Sequence, residues 1–257
     1  MNDLENIVLL IDADNTQLVK LEGVIREVSA HGRIVVKRAY GNWKKSTLKN
    51  WEDELERLAI KAVQQFDYVA HKNATDMAVV IDAINLLHTG IYDAFVIVAS
   101  DSDYTPLAIN LHESGVYVMG VGENNTPESF RNSCDEFVFL ENISIASKFR
   151  KNSQQNLSLK NQNDTIQSRG ENQQVVSDEI HTLLREAFEK YQDDEGYVNV
   201  SSAGTFIKRV KPDFDVRSYG YIKLPKLIED FPEKYEIKKY RGKGTVNIIA
   251  YKCIEEN

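Results

Sequence analysis

The sequence predicts an open α/β sheet of parallel strands between two layers of helix, followed by a second, smaller winged helix-turn-helix domain. Three observations predict it. Short apolar runs alternate with helically spaced segments through about the first 147 residues, the pattern of βαβ units. Two of those runs, Ile7–Ile11 and Ala94–Ala99, lack any polar residue, as strands covered on both faces must. Near the end of the chain, three helical patterns precede two alternating runs around a glycine-rich turn.

In order, Ile7–Ile11 is the first strand and ends in Asp12-Ala13-Asp14-Asn15-Thr16. Leu18, Leu21, Ile25 and Val28 have helical spacing, and His31-Gly32 closes that helix. Ile34–Tyr40 is a strand and Gly41–Lys45 a loop. Leu48, Trp51, Leu55 and Leu58 then mark a second helix, with Trp51 in the core. Ile60–Val63 is a short strand. Lys72–Thr75 is a polar turn with Thr75 the expected N-cap, and from Asp76 a helix carries Met77, Val80, Ile81, Ile84 and Leu87 as its apolar face. Ala94–Ala99 is the central strand. Thr105-Pro106-Leu107 opens the next helix, where proline is tolerated because that N–H has no helical partner. Val116–Val121, Pro127–Asn132 and Phe137–Leu140 give strand, short helix and strand.

Lys151–Gln174 is rich in Asn, Gln and Ser and holds no period, so it cannot bury enough surface to offset its ordering entropy. A flexible linker over 148–175 is expected, between domains at 1–147 and 176–257. In the second domain Ile180, Leu183, Leu184, Ala187, Phe188 and Tyr191 share a helical face. Ser201 or Ser202 is the expected cap of a helix holding Phe206, Ile207 and Val210, and Pro212-Asp213 breaks it. Leu224, Leu227 and Ile228 mark a third helix with Pro225 near its start. Tyr235–Tyr240 and Val246–Tyr251 alternate as a hairpin.

Composition narrows the class. Hydrophobic content of 42% and charged content of 27% suit a soluble globular protein. A net charge of −8 argues against bulk electrostatic binding to nucleic acid but leaves room for a local basic face. Cys134 and Cys253 lie far apart without zinc-site spacing, so reduced, buried thiols are expected. The first apolar run is too short for a signal peptide or a membrane span, and a cytoplasmic protein is expected.

The strand ends carry the chemistry. Ligands of open α/β sheets bind beyond the carboxyl ends of the strands. There this chain places Asp12 with Asp14, and Asp101 with Asp103, while Asp76 stands in the first turn of a helix. Carboxylates gathered in one cleft repel unless a cation compensates, and hard Mg²⁺ or Mn²⁺ with oxygen ligands suits phosphate chemistry. Single aspartates such as Asp82 and Asp135 read instead as caps.

The runs Leu10-Ile11-Asp12-Ala13-Asp14-Asn15, Lys72-Asn73-Ala74-Thr75-Asp76-Met77-Ala78, Ser100–Leu107 and Thr126–Phe130 resemble the NYN (LabA-like, PIN-related) nuclease domain over about the first 145 residues. The resemblance implies a Rossmann-like, PIN-like fold and a metal-dependent ribonuclease, endonucleolytic rather than exonucleolytic. It also implies Asp12, Asp76 and Asp101 as the acidic triad, Asp103 as auxiliary acid and Asn15 as polar partner. Asp12-Ala13-Asp14 after an apolar strand also fits the opening of haloacid-dehalogenase phosphatases, but that reading leaves Asp76 unexplained. A non-catalytic RNA-binding adaptor is the other alternative.

Phe214–Leu224, with Asp215-Val216-Arg217-Ser218-Tyr219-Gly220 as its core, resembles the OST-HTH (LOTUS) domain and implies an RNA-associated or protein-docking module. Lys238, Lys239, Arg241 and Lys243 gather at the hairpin, where Gly242 and Gly244 would let the backbone approach a phosphate. Lys208, Arg209, Lys211, Arg217, Lys223 and Lys226 stud the preceding helices. In the first domain Lys37, Arg38, Trp43, Lys44 and Lys45 form a basic and aromatic stretch on the rim of the carboxylates. Trp43 is placed to stack a base and Lys72 to touch phosphate. RNA, single-stranded or structured, is the expected partner, with a protein partner for the second domain as the alternative.

Overall fold

The structure is a computed structural model that describes residues 4–66, 73–143, 172–241 and 247–254. The chain divides into two compact units, Met1–Ser147 and Lys148–Asn257. The expected linker lies largely outside the described residues, as do Lys72, Gly242, Lys243 and Gly244. A helix already begins at Asn172.

In the first unit, six described strands form one parallel sheet: β1 Leu4–Asp12, β2 Gly32–Gly41, β3 Lys61–Gln64, β4 Ala94–Val98, β5 Tyr117–Gly122 and β6 Glu136–Phe139. Their order is β3-β2-β1-β4-β5-β6, so the winding reverses between β1 and β4. That reversal opens a crevice at the carboxyl ends of these two strands, where α/β sheets place their ligands. Every β4 residue is buried, and the β1 residues from Ile7 to Asp12 are too. Alternate residues feed two cores. Leu9 and Ile11 pack with Leu21, Val24, Val28 and Trp51; Val8 and Leu10 pack with Val79, Ala83, Leu107 and Leu111.

The helices are α1 Leu21–Val28, α2 Trp51–Arg57, α3 Ala74–Leu87, α4 Thr105–Glu113 and α5 Glu128–Asn132. A 3-10 turn, Leu18–Lys20, leads into α1, and another, Ser46–Leu48, precedes α2. Two expectations about α3 are corrected. Its N-cap is Asn73, while Thr75 is buried within the first turn and bonds elsewhere. Its buried face is Thr75, Val79, Ala83 and Leu86, whereas Met77 and Ile81 are exposed. Val80, Ile84 and Leu87 of the expected face pack partly against the core, so the helix is turned by about one residue from that expectation.

Asp82 is not a cap either. From mid-α3 it accepts bonds from the Arg38 guanidinium at 2.6 Å and from the Tyr40 hydroxyl, tying α3 to β2. Asp135 accepts from the Val118 amide at 2.9 Å, pinning the start of β6 beside β5.

The second unit holds α6 Asn172–Tyr191, α7 Val200–Val210, α8 Leu224–Glu229 and an antiparallel sheet ordered β7-β9-β8 (β7 Val198–Asn199, β8 Tyr235–Arg241, β9 Asn247–Cys253). Ile180, Leu184, Ala187, Phe206, Ile207, Ile228 and Tyr251 form its core. The cap of α7 is Asn199, whose side chain accepts from the Ser201 amide at 2.8 Å, and not Ser201 or Ser202. Asp215 caps a 3-10 turn over Val216–Tyr219, accepting from the Arg217 amide and guanidinium, and Gly220 ends it at φ 85°. That geometry accounts for the Asp-Val-Arg-Ser-Tyr-Gly run: a short acceptor, a matching cation and a residue free to turn left-handed. Cys134 is buried, but Cys253 is only half-buried.

Candidate active site

Strand β1 delivers Asp12 to the floor of the crevice with 1% of its surface exposed. Both of its oxygens are engaged. Oδ1 accepts the Asp14 amide at 3.1 Å, and Oδ2 accepts the Asn15 side-chain amide at 2.9 Å and the Tyr104 hydroxyl at 3.0 Å. The same hydroxyl lies 2.8 Å from Asp76 Oδ1. One fully buried tyrosine thus joins the acid at the end of β1 to the acid in the first turn of α3. Sequence reasoning missed Tyr104. The sole local signal is its place directly after Asp103, in the first turn leading from β4 into α4.

Asp14 has separate partners: the Lys45 ammonium at 3.0 Å and the buried Thr75 hydroxyl at 2.8 Å. Lys45 therefore belongs to the acidic centre itself. Asp101 and Asp103 make a third group. Asp101 is exposed and accepts the Asp103 amide at 3.1 Å, capping the 3-10 turn into α4, and Asp103 accepts from the Asn73 side chain. Ser100 accepts from the Glu123 amide at 2.9 Å.

Burial pushes the Asp12 carboxyl up to about 6. The nearby charges of Asp76 and Asp14 add to this, while the bonds from Asn15 and Tyr104 oppose it. Asp76 is raised as well, first by burial and then by the charges of Asp101 and Asp103, against the Tyr104 bond. Burial beside the two acids also raises the Tyr104 hydroxyl, which stays protonated as a donor. Among the described residues, no three His, Cys, Asp or Glu side chains are gathered as a ready-made metal cage. The donors are nonetheless hard oxygens with an excess of negative charge. That chemistry fits a Mg²⁺ or Mn²⁺ ion held by one or two carboxylates and several waters.

The remaining sequence-predicted residues divide. Trp43 packs on Trp51 with ring centroids 6.1 Å apart, and Lys44 lies 5.0 Å over the Phe66 ring. Lys37 and Arg38 are engaged within the fold. The Lys37 ammonium donates to the Leu58 carbonyl, and Arg38 is held by Asp82. In the second unit Lys238 pairs with Glu195 and Lys239 with Glu229 at 2.6 Å. Lys211 pairs with Glu179 at 2.5 Å and Lys226 with Glu229 at 2.6 Å. The Arg241 side chain and Lys243 lie outside the described residues. Tyr219 packs on Phe214, ring centroids 5.9 Å apart, as a part of the core.

The NYN domain family matches residues 6–141, a span that includes every acid of this centre. The chain belongs to the NYN family. This family of PIN-like nuclease domains is joined here to an OST-HTH/LOTUS domain, matched over residues 171–247, so a nuclease-family domain precedes an RNA-binding one. No curated protein matches the chain. Among solved structures, a crystal structure of a Vibrio parahaemolyticus protein of unknown function is 17% identical with a TM-score of 0.43, covering 54% of this chain and 94% of its own. A solution structure of an uncharacterized Nitrosomonas europaea protein is 22% identical with a TM-score of 0.28, covering 38% of this chain and 84% of its own. No described helix is long and apolar enough to cross a membrane.

Proposed function

We infer that the NYN domain is a metal-dependent endoribonuclease and that the OST-HTH domain holds its RNA. The observation that carries this reading is the pair Asp12 and Asp76, joined by the Tyr104 hydroxyl at the crevice between β1 and β4. Asp12, Asp76 and Asp101, with Asp103 beside them, are the residues to hold Mg²⁺ or Mn²⁺. Such an ion supplies an activated water and neutralises charge developing on the phosphodiester. The chain's own groups do the rest. Tyr104 fixes the spacing of Asp12 and Asp76, and Asn15 orients the Asp12 carboxylate. Lys45, anchored by Asp14, offers a cation to the phosphate. Hydrogen-bonded carboxylates remain competent ligands, because partners behind a metal ligand orient it.

The phosphatase alternative has less support. Its nucleophile would be Asp12, but that reading gives no role to Asp76, which the Tyr104 hydroxyl joins to Asp12. The adaptor reading draws on one observation, the lack of a tight cage of three acids among the described residues. An RNA-recruiting protein with an inert pocket is its content.

The deciding experiment incubates purified protein with labelled single-stranded RNA in Mn²⁺, Mg²⁺ or EDTA. Internal cleavage that needs metal and disappears in Asp12→Asn is expected. Intact RNA over a panel of sequences, with Asp12→Asn behaving as wild type, would hand the case to the adaptor.

A further inference from the structure

Beside the acidic centre, on the same edge of the sheet, lies a cavity of about 390 Å³. Its walls include Trp43, Lys44, Lys45, Lys49, Glu52 and Leu48. The volume falls within the roughly 300–1,000 Å³ of small-molecule sites. The loop that forms it leaves the carboxyl end of β2, next to Asp12: the Ala13 amide donates to the Tyr40 carbonyl at 2.9 Å. The loop is also braced. The Lys45 amide donates to the Asn42 carbonyl at 2.8 Å, and the Gln64 side chain, from β3, accepts the Trp43 amide at 3.1 Å and donates to Asn42 at 3.1 Å. Lys45 spans both places, lining the cavity while its ammonium sits 3.0 Å from Asp14.

Three lysines stand against Glu52 and the Asp14 that pairs with Lys45, and in a chain of net charge −8 even this small excess of positive charge is a local inversion of sign suited to a polyanion. A half-buried indole in the same wall gives a flat apolar surface of the kind on which bases stack. We propose that this cavity is a nucleotide subsite of the RNA path. It holds the residue next to the bond to be cut, with the base against Trp43 and the phosphate between Lys44, Lys45 and Lys49. This proposal rests on the nuclease reading for its place in the reaction but not for the binding itself. A base unstacked onto Trp43 cannot remain paired, so the subsite selects single-stranded RNA over duplex.

The test uses the full-length protein in EDTA, titrated with 5′-AMP, adenosine and inorganic phosphate while tryptophan fluorescence is followed. Quenching by 5′-AMP, stronger than by either fragment and reversed by a short single-stranded RNA, is expected. Lys44→Gln/Lys49→Gln should weaken 5′-AMP binding about tenfold, and Trp43→Leu, followed by titration calorimetry because it removes the reporting indole, by a similar factor. In the cleavage assay the double lysine variant should raise KM about tenfold and leave kcat in place. Binding of 5′-AMP that the lysine variant does not alter, or that RNA does not displace, would overturn the subsite. Cleavage with KM unmoved in both variants would overturn it while leaving the nuclease reading intact. Variant-sensitive binding in a protein that cuts no RNA would keep the subsite and sink the nuclease.

Discussion

Removing the Tyr104 hydroxyl should cost more stability at neutral pH than in acid. Tyr104→Phe keeps the ring in its pocket against Phe130, so no cavity opens, and it removes the bonds to Asp12 at 3.0 Å and Asp76 at 2.8 Å. A hydrogen bond to a charged acceptor contributes roughly 1.5–3 kcal/mol; one hydroxyl proton serves both acids, so one such bond is at stake. The sign of the pH effect follows from the acids. The Asp12 carboxyl stands near 6 instead of its ordinary 3.8. Folding therefore binds its proton, and that contribution, about 3 kcal/mol, is full below pH 4 and lost as pH rises through about 6. The Tyr104 bond opposes this loss at both acids, and its removal raises both carboxyls further. Trp43 and Trp51, the chain's 2 tryptophans, both lie in the first unit, so urea unfolding followed by their fluorescence reports that unit. In EDTA, the gap between wild type and Tyr104→Phe should be about 2 kcal/mol at pH 7.5 and about 1 kcal/mol or less at pH 4.5. A gap equal at both values, or wider in acid, would refute the bridge.

Asp76→Asn should abolish cleavage by orders of magnitude yet raise stability slightly in EDTA at pH 7.5, because its charge sits against those of Asp101 and Asp103; lower stability there would count against the crowding. Arg38→Gln should lose about 1 kcal/mol in the same unfolding assay by releasing Asp82, with RNA affinity unchanged; weakened RNA binding at full stability would restore Arg38 to the interface. Lys238→Gln/Lys239→Gln should scarcely alter folding, since their ion pairs are exposed, but should lower RNA affinity and flatten its salt dependence. An unchanged salt slope would favour protein docking for the OST-HTH domain. Gly122→Ala should destabilise by about 2 kcal/mol or more, because its Cβ would lie 2.5 Å from the Ala99 carbonyl oxygen, which is backbone and cannot yield; wild-type unfolding would show that β5 can shift there.

The fold was legible because its determinants are local. An apolar run such as Ala94–Val98 can only be a strand covered on both sides, and each such strand ends at a polar turn. Where the sequence misled, tertiary contacts decided. Along α3 Met77 and Ile81 looked like core, but the buried stripe is Thr75, Val79, Ala83 and Leu86, and in so uniformly apolar a helix the sequence does not mark which stripe turns inward. The cap of α7 fell to Asn199 although two serines follow. The Asn199 side chain reaches the Ser201 amide directly from the end of β7, one residue before the helix starts. Lys37 and Arg38 were expected to face RNA on the rim of the carboxylates, but both are engaged within the fold. Their destinations, the Leu58 carbonyl and Asp82, depend on which face of β2 each residue takes.

The sequence marks the acids at the strand ends but not their separation into Asp12 with Asp76, Asp14 alone and Asp101 with Asp103, which arises from contacts between distant segments. Asp14 already has a cation, Lys45, from 31 positions away, and a hydroxyl, Thr75, from 61. Among the described residues Asp12 and Asp76 have neutral donors and no cation, and both carboxyls are pushed upward, first by burial and then by neighbouring negative charge, against the pull of those donors. If the proposed metal-dependent reading holds, a divalent ion would gain most where negative charge is least compensated, at Asp12 and Asp76, and least at Asp14. Lys45 is then left with a carboxylate that no metal claims. It stays poised at the mouth of the basic cavity, where the next negative group to arrive is a phosphate. On the proposed reading, one lysine so placed keeps Asp14 from the metal and lies between the RNA subsite and the centre, so its loss should harm substrate binding more than it harms metal binding.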